Sequence, residues 1–380
     1  YYTGEIEVYK YNSSSNSWSQ LGDDIYGTNG SDRLGTSISL SSDGSILAAG
    51  SDGYVNVNGV SRKIGYVRVY KFINNSWQQL GGDIFEYNVD SFSFGFNVSL
   101  SSDGTRLAIS EPFNRVNGIY KGRVAVYDYT PSGVTSWTQL GSNIYGEADR
   151  DQMGEKISLS SDGTRLAIGS ALNSGNGTEA GHVRIYEYTP SGVTSWTQLG
   201  ADIDGDAAGD RLGISLKMSS DGSILAVGAN RQSPRAGVGR YDERKSYIKI
   251  YKYNNSSNSW SQLGDDIDGE LRTNGRNDAT GPLSLSSDGL RIAIGAQYFD
   301  PLGSVRVFDY DSESDSWIQF GGRLAGVSWE YFGAGVSLSS DGSRIAVGGP
   351  YNHENGTEKG RVGVYSLKGE SYQYAWDCLL

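Results

Sequence analysis

The tetrapeptide Ser-Ser-Asp-Gly occurs six times in this chain, with its aspartate at Asp43, Asp103, Asp162, Asp221, Asp288 and Asp341. Successive copies lie 60, 59, 59, 67 and 53 residues apart. Each sits in the same longer unit, clearest as DQMGEKISLSSDGTRLAIGS followed by GHVRIYEYTPSGVTSWTQLGADIDG. A near-constant period of this length demands a repeat architecture, in which one small unit buries its apolar face only against its neighbours. That overrides the length prior of two or three domains for 380 residues, so residues 1–380 read as one repeat-built domain.

Each unit divides into four segments. Segment a alternates small and apolar residues, as in Ser37-Ile38-Ser39-Leu40, and a period of two means strand. Ser-Asp-Gly then makes a tight turn, with Asp bonding local backbone and Gly accepting positive φ. Segment b follows at once, as in Arg165-Leu166-Ala167-Ile168-Gly169. Segment c reads Val67-Arg68-Val69-Tyr70 or Val183-Arg184-Ile185-Tyr186. Segment d is the Ser-Trp-x-Gln-Leu-Gly run carrying Trp18, Trp77, Trp137, Trp196, Trp260 and Trp317.

Nothing looks helical. Four short antiparallel strands per unit predict an all-β propeller with one sheet per blade. Residue size agrees, because a and b are rich in Ser, Ala and Gly while c and d carry Tyr, Trp, Val and Leu, which suits a wedge. The tryptophans therefore read as packing between blades. Segment c appears seven times and segments a and b six times, so the first blade is incomplete at its amino-terminal side. Seven blades is the predicted count and six the alternative.

The chain carries 53 Gly, 7 Pro and 26 Tyr, a mix suited to short strands and tight turns. Its net charge of -12 argues against nucleic acid or an anionic membrane as partner. No stretch approaches the ~18 apolar residues of a membrane span. Cys378 is the only cysteine, so no disulfide forms within the chain. Sequons begin at Asn12, Asn29, Asn74, Asn97, Asn176, Asn254, Asn255 and Asn355, and of these Asn12, Asn29, Asn74, Asn176, Asn254 and Asn355 are candidate glycosylation sites. The chain opens in mid-pattern with no signal peptide, which reads as a mature or trimmed form missing sequence upstream.

The a–b–c core from Phe332-Gly333-Ala334-Gly335 through Val347-Gly348-Gly349-Pro350 to Gly360-Arg361-Val362 resembles the FG-GAP repeat of integrin α-subunit propellers. Its Phe-Gly appears as Phe94-Gly95 and Phe332-Gly333 and is replaced by Leu34-Gly35, Met153-Gly154, Leu212-Gly213 and Thr280-Gly281 elsewhere. The resemblance implies an extracellular recognition or adhesion module that binds through its loops. FG-GAP repeats that bind calcium carry a longer Asp-x-Asp-x-Asp-Gly loop between a and b. Here the turn is too short to wrap an ion, so its aspartates read as turn residues.

Binding residues are expected on the b–c and d–a loops. The longest b–c loop holds Arg231, Arg235, Arg240 and Tyr241, and arginine forks suit carboxylate, sulfate or phosphate groups. Arg115, Tyr120, Tyr298 and Tyr351 widen that surface. An acid recurs three residues before the Gly at Asp32, Asp151, Asp210, Asp278 and Glu330, which reads as a cap on loop amides. The richest of these loops, with Asp202, Asp204, Asp206 and Asp210, has the alternating oxygens that suit calcium, as does the Asp309–Asp315 stretch.

Catalytic signatures are absent: there is no Cys/His pair, HExxH, Gly-x-Ser-x-Gly or phosphate loop. His182 reads as scaffold, and His353 is the loop histidine a funnel enzyme would use. The sequence thus predicts a non-enzymatic extracellular module for a glycan or protein. The alternatives are a scaffold subunit among neighbours in a surface assembly, and a polysaccharide-active enzyme at the central funnel.

Overall fold

The computed structural model describes residues 3–379 except 16, 29, 58–59, 87–91, 132–136, 191–195, 232–245, 271–280, 299–301, 327–330 and 353–358. Every described element is a strand. Six complete antiparallel sheets in the order d-c-b-a make a six-bladed β-propeller, the count given by the alternative reading. Among the described residues the first repeat contributes outer strands alone: Tyr9–Asn12 pairs with Ser17–Gln20, and Glu5–Ile6 with Ile25–Tyr26. By packing, the chain divides into two compact units, one of Tyr1–Asn173 with Ile185–Gln198 and the other of Ser174–Arg184 with Leu199–Leu380.

In the first unit, blade 1 is built of strands a (Ser37–Leu40), b (Ile46–Ser51), c (Tyr66–Ile73) and d (Ser76–Gln79). Blade 2 has a (Val98–Leu100), b (Arg106–Glu111), c (Arg123–Tyr129) and d (Trp137–Gln139). In the second unit, blade 4 has a (Leu212–Met218), b (Ile224–Ala229), c (Tyr247–Asn254) and d (Ser259–Gln262). Several blades add a short fifth strand beside the start of c, such as Ile144–Tyr145 and Ile267–Asp268.

Each letter of Ser-Ser-Asp-Gly has a job. The first serine donates its hydroxyl to the aspartate and accepts the amide five residues on, as Ser160 does with Asp162 at 2.6 Å and Arg165 at 2.9 Å. The second serine's amide reaches the matching carbonyl of the next blade: Ser42 to Ser102 and Ser102 to Ser161, each at 2.8 Å. Aspartate accepts the amide two residues on, at 2.9 Å for Thr164 and Asp162. Glycine holds φ near 70°, where a Cβ is strained, as at Gly163 (φ 70).

The Trp-x-Gln-Leu-Gly run is equally explicit. From the second copy on, each indole N–H donates to the leucine carbonyl of the preceding copy of the run, as Trp77 does to Leu21 at 2.7 Å, Trp137 to Leu80 at 2.9 Å and Trp317 to Leu263 at 2.9 Å. Each of these rings also leans on an aromatic side chain of its own blade, as Trp137 does on Tyr129 at 5.4 Å. The Phe-Gly position is buried in each described copy: Leu34, Phe94, Met153, Leu212 and Phe332 are all at most 2% exposed. The tryptophans are thus packing residues, as read from the sequence, and the Phe-Gly position is a buried one as well.

Candidate active site

Three d–a loops begin with a glycine that has no room for a side chain, at Gly27, Gly146 and Gly205. A Cβ at Gly205 would sit 2.1 Å from the Ala180 carbonyl oxygen. Its amide instead bonds the Gly181 carbonyl at 2.9 Å, and Leu212 bonds the Ala180 carbonyl at 2.9 Å. The loop is therefore laid tightly along residues 176–181 and returns through Asp210. The recurring acid caps this turn. Asp32 accepts the Thr28 amide at 2.7 Å, Asp151 accepts those of Glu147 and Ala148 at 2.7 and 2.8 Å, and Asp210 accepts that of Ala207 at 3.2 Å. Asp278 and Glu330 lie outside the described residues.

In the second unit this loop carries more charge than capping requires. Asp202 is gripped by the Arg184 guanidinium at 2.9 and 2.8 Å, with His182 Nδ1 at 3.5 Å. Asp206 receives Lys249 Nζ on both oxygens, at 2.7 and 2.8 Å, and Arg231 stands 3.7 Å away. The fully buried Asp210 faces Arg231 Nε at 3.3 Å and accepts the Tyr247 hydroxyl at 3.0 Å. The Arg231 guanidinium lies over the Tyr247 ring at 4.4 Å, and Lys249 Nζ is 5.1 Å from the same ring. Burial, with Asp210 and Asp206 beside it, pushes the Tyr247 hydroxyl far above its ordinary pKa, so it remains a donor.

Two groups of sequence candidates therefore meet here, the acidic loop and Arg231. Asp202, Asp206 and Asp210 each face a protein cation, and among the described residues the four loop aspartates do not converge as one ligand set. Of the three that face a cation, Asp206 is the exposed one, at 45% against 25% for Asp202 and 0% for Asp210. It is a carboxylate open to solvent, locked against an ammonium and flanked by a guanidinium.

Other candidates fall elsewhere. Arg115 lies over the Tyr120 ring at 4.1 Å in the b–c hairpin of blade 2 and bonds its hydroxyl. Tyr298 and Tyr351 are joined edge-on through Tyr331, at 5.6 and 5.3 Å, a link the sequence reading missed. Arg235, Arg240, Tyr241, His353 and the sequons at Asn29 and Asn355 lie outside the described residues. Asn12, Asn74, Asn176 and Asn254 are exposed, although Asn176 Nδ2 donates to the Gly205 carbonyl at 2.8 Å.

Sequence reasoning also missed Tyr247 and Lys249, taken as ordinary strand-c residues, and the blade 2 network. There the buried Arg123 bonds Glu111 at 2.6 Å and reaches Glu86 as well. The signal for both was available. In the repeated triplet that opens strand c, Gly or Ser, then x, then Val or Ile, the framework residues recur while x is Glu5, Tyr66, Arg123, His182, Tyr247, Ser304 and Arg361.

No family model matches the chain, and no curated protein matches it in sequence. The FG-GAP resemblance therefore reduces to the propeller itself. Solved structures do match along the whole chain. A protein assigned as a 6-phosphogluconolactonase, from Bacteroides fragilis, has a TM-score of 0.63 at 12% identity and covers 100% of this chain and 92% of its own. The periplasmic gluconolactonase of Pseudomonas aeruginosa has a TM-score of 0.61 at 17% identity, with the same coverage of 100% and 92%. A hypothetical selenium-binding protein from Sulfolobus tokodaii has a TM-score of 0.63 at 11% identity, covering 99% and 88%.

At these identities the likeness carries the fold. It also overturns the expectation of a non-catalytic adhesion module: one of these whole-chain neighbours is a gluconolactonase and another is assigned as a 6-phosphogluconolactonase, so neither the adhesion reading nor its denial of enzyme activity stands. The failure has a physical reason. Water-driven opening of a ring ester needs no linear motif, only a carboxylate and a cation brought together from separate loops.

Proposed function

We propose that the chain is a hydrolase of cyclic esters of sugar acids, with the Asp206–Lys249–Arg231 cluster at its centre. The observation that carries this is Asp206 itself, an exposed carboxylate bonded through both oxygens to Lys249. Asp206 takes a proton from water as the water oxygen attacks the lactone carbonyl carbon. Lys249 and Arg231 stabilise the oxyanion that forms on the carbonyl oxygen. Collapse of that intermediate breaks the ring C–O bond, and the leaving alkoxide recovers the proton from Asp206. The product is an open hydroxy acid, whose new carboxylate meets the same two cations.

His182, Arg184 and Asp202 act as positioning residues that fix the loop, and Tyr247 with Asp210 holds Arg231 in place. The lactonase neighbours support this reading over the selenium-binding one, because a soft-ion site favours thiolates and the chain has only Cys378. An extracytoplasmic setting accords with the periplasmic neighbour. Among the described residues no helix is long and apolar enough to cross a membrane.

The test is a pH-stat assay of gluconolactone and 6-phosphogluconolactone opening. Turnover above the spontaneous rate is expected. A rate equal to the buffer blank on both substrates overturns the proposal.

A further inference from the structure

The third residue of strand c is a cation in four blades, as Arg68, Arg184, Lys249 and Arg306. In two of them its countercharge comes from one fixed place. Ile84 sits beside Val67 and Ile203 beside Val183, and the residue just ahead of each isoleucine is an aspartate. Arg68 bonds both oxygens of Asp83, at 2.7 and 2.9 Å, and Arg184 both oxygens of Asp202, at 2.9 and 2.8 Å. Blade 5, whose strand c is Ser304–Asp311, keeps the register with Leu324 beside Val305. The residue ahead of Leu324 is Arg323, so the acid of the frame has become a second cation.

The two guanidiniums converge. Arg306 Nη1 stands 3.8 Å and Arg323 Nη2 2.7 Å from the same atom, Glu270 Oε1. Both arginines are anchored. The Arg306 side chain is 7% exposed, donates to the Asp268 carbonyl at 3.1 Å and lies over the Phe308 ring at 5.2 Å. Arg323 donates to the hydroxyl of the buried Ser304 at 2.8 Å. Glu270 is the exposed member of the group, at 52%. Its oxygen marks a point that two held forks reach together, and the carboxylate that places it there can turn out into water.

We propose that Arg306 and Arg323 form a binding site for a phosphate group, which displaces the Glu270 carboxylate. A phosphate carries about two negative charges at pH 7 and three or more acceptor oxygens. Each guanidinium then meets an oxygen of its own in place of the one they share on Glu270, and planar guanidinium forks suit such groups. The inference is independent of the proposed chemistry, because it uses no residue of the Asp206 cluster and is read by binding alone.

The test is calorimetric titration of the 380-residue chain with inorganic phosphate, at an ionic strength held constant with chloride. Saturable binding is expected. Arg323→Asp puts back the acid found at Asp83 and Asp202, so it is expected to keep the parent Tm and to weaken phosphate binding about tenfold or more. Glu270→Gln removes the competing charge and is expected to tighten binding about threefold or more. Glucose 6-phosphate, which has no carboxylate for the Asp206 cluster, is titrated against glucose as its control. Binding tighter than that of inorganic phosphate assigns the site to a phosphorylated sugar, and equal or weaker binding assigns it to the free ion. The proposal is overturned if the parent gives no saturable signal with either phosphate. It is also overturned if binding survives Arg323→Asp undiminished, or fails to tighten in Glu270→Gln.

Discussion

The two ends of each blade follow opposite rules. At the a–b end, six turns share one sequence and nearly one hydrogen-bond pattern, and in four of them the second serine's amide bonds the next turn. At the end where strand c begins, the same structural position holds Glu5, Tyr66, Arg123, His182, Tyr247, Ser304 or Arg361. One end is closed on itself, its serine and aspartate bonds made within the turns. The other spends its polar groups differently in every blade, and it holds the charge clusters. Within a repeat protein, the position that changes while the frame stays fixed marks where function is placed.

The sharpest way to break this contrast is to remove a charge from the variable end. Arg123 is 2% exposed and its partner Glu111 1%. Burial lowers the Arg123 pKa, but Glu111 and Glu86 more than reverse that, so it stays a cation. Arg123→Met leaves Glu111 buried without its countercharge and is expected to cost about 3–5 kcal/mol in urea unfolding. A loss below about 1 kcal/mol would show that the network contributes little to the fold.

At the repeated end a single substitution should cost less. Ser160→Ala removes one bond to Asp162 and one from the Arg165 amide, for an expected loss of about 1–2 kcal/mol. Ser101→Ala should cost about the same, since Ser101 bonds Asp103 and Arg106 in the same way. Unequal losses would mean that the turns are not interchangeable. Trp196→Phe keeps the ring but loses the indole bond to the Leu140 carbonyl, and about 1 kcal/mol is expected.

The smallest effect concerns acid. Bonds from Ser339 and Ser343 hold Asp341 down at about 2. In Asp103, Asp162 and Asp221 burial acts the other way, but the hydroxyl and amide bonds outweigh it and the pKa is again lowered. A folded-state pKa below the unfolded value of about 3.9 gives stability that is complete above that pH. It is lost as the pH falls through the folded value. Urea midpoints should therefore stay level from pH 7 to about pH 5 and drop below about pH 4 as far as these groups govern them. Asp341→Asn should make that drop slightly shallower, and an unchanged acid limb would remove Asp341 from the explanation.

The contrast between the ends also explains what was legible in the sequence. The turn and the tryptophan run were readable because each local rule is repeated up to six times, so strand order, capping aspartates and inter-blade packing all followed from pattern. The cluster at Asp206 was only half readable. Arg231 and the acidic loop stood out as unusual composition, but nothing in the linear order says that the loop after one blade meets the loop inside the next. Lys249 was hidden in Tyr-Ile-Lys-Ile-Tyr, where alternation explains every residue as strand. The same blindness hid the proposed site, since its charged groups come from three separate segments.

The most direct measurement is kcat/KM for gluconolactone and Tm, taken in parallel on the parent, Asp206→Asn and Asp162→Asn. Asp206→Asn is expected to lose about 100-fold or more in kcat/KM with Tm nearly unchanged. Asp162→Asn is expected to lower Tm and leave kcat/KM alone. Full activity in Asp206→Asn would contradict the assignment of chemistry to the variable end.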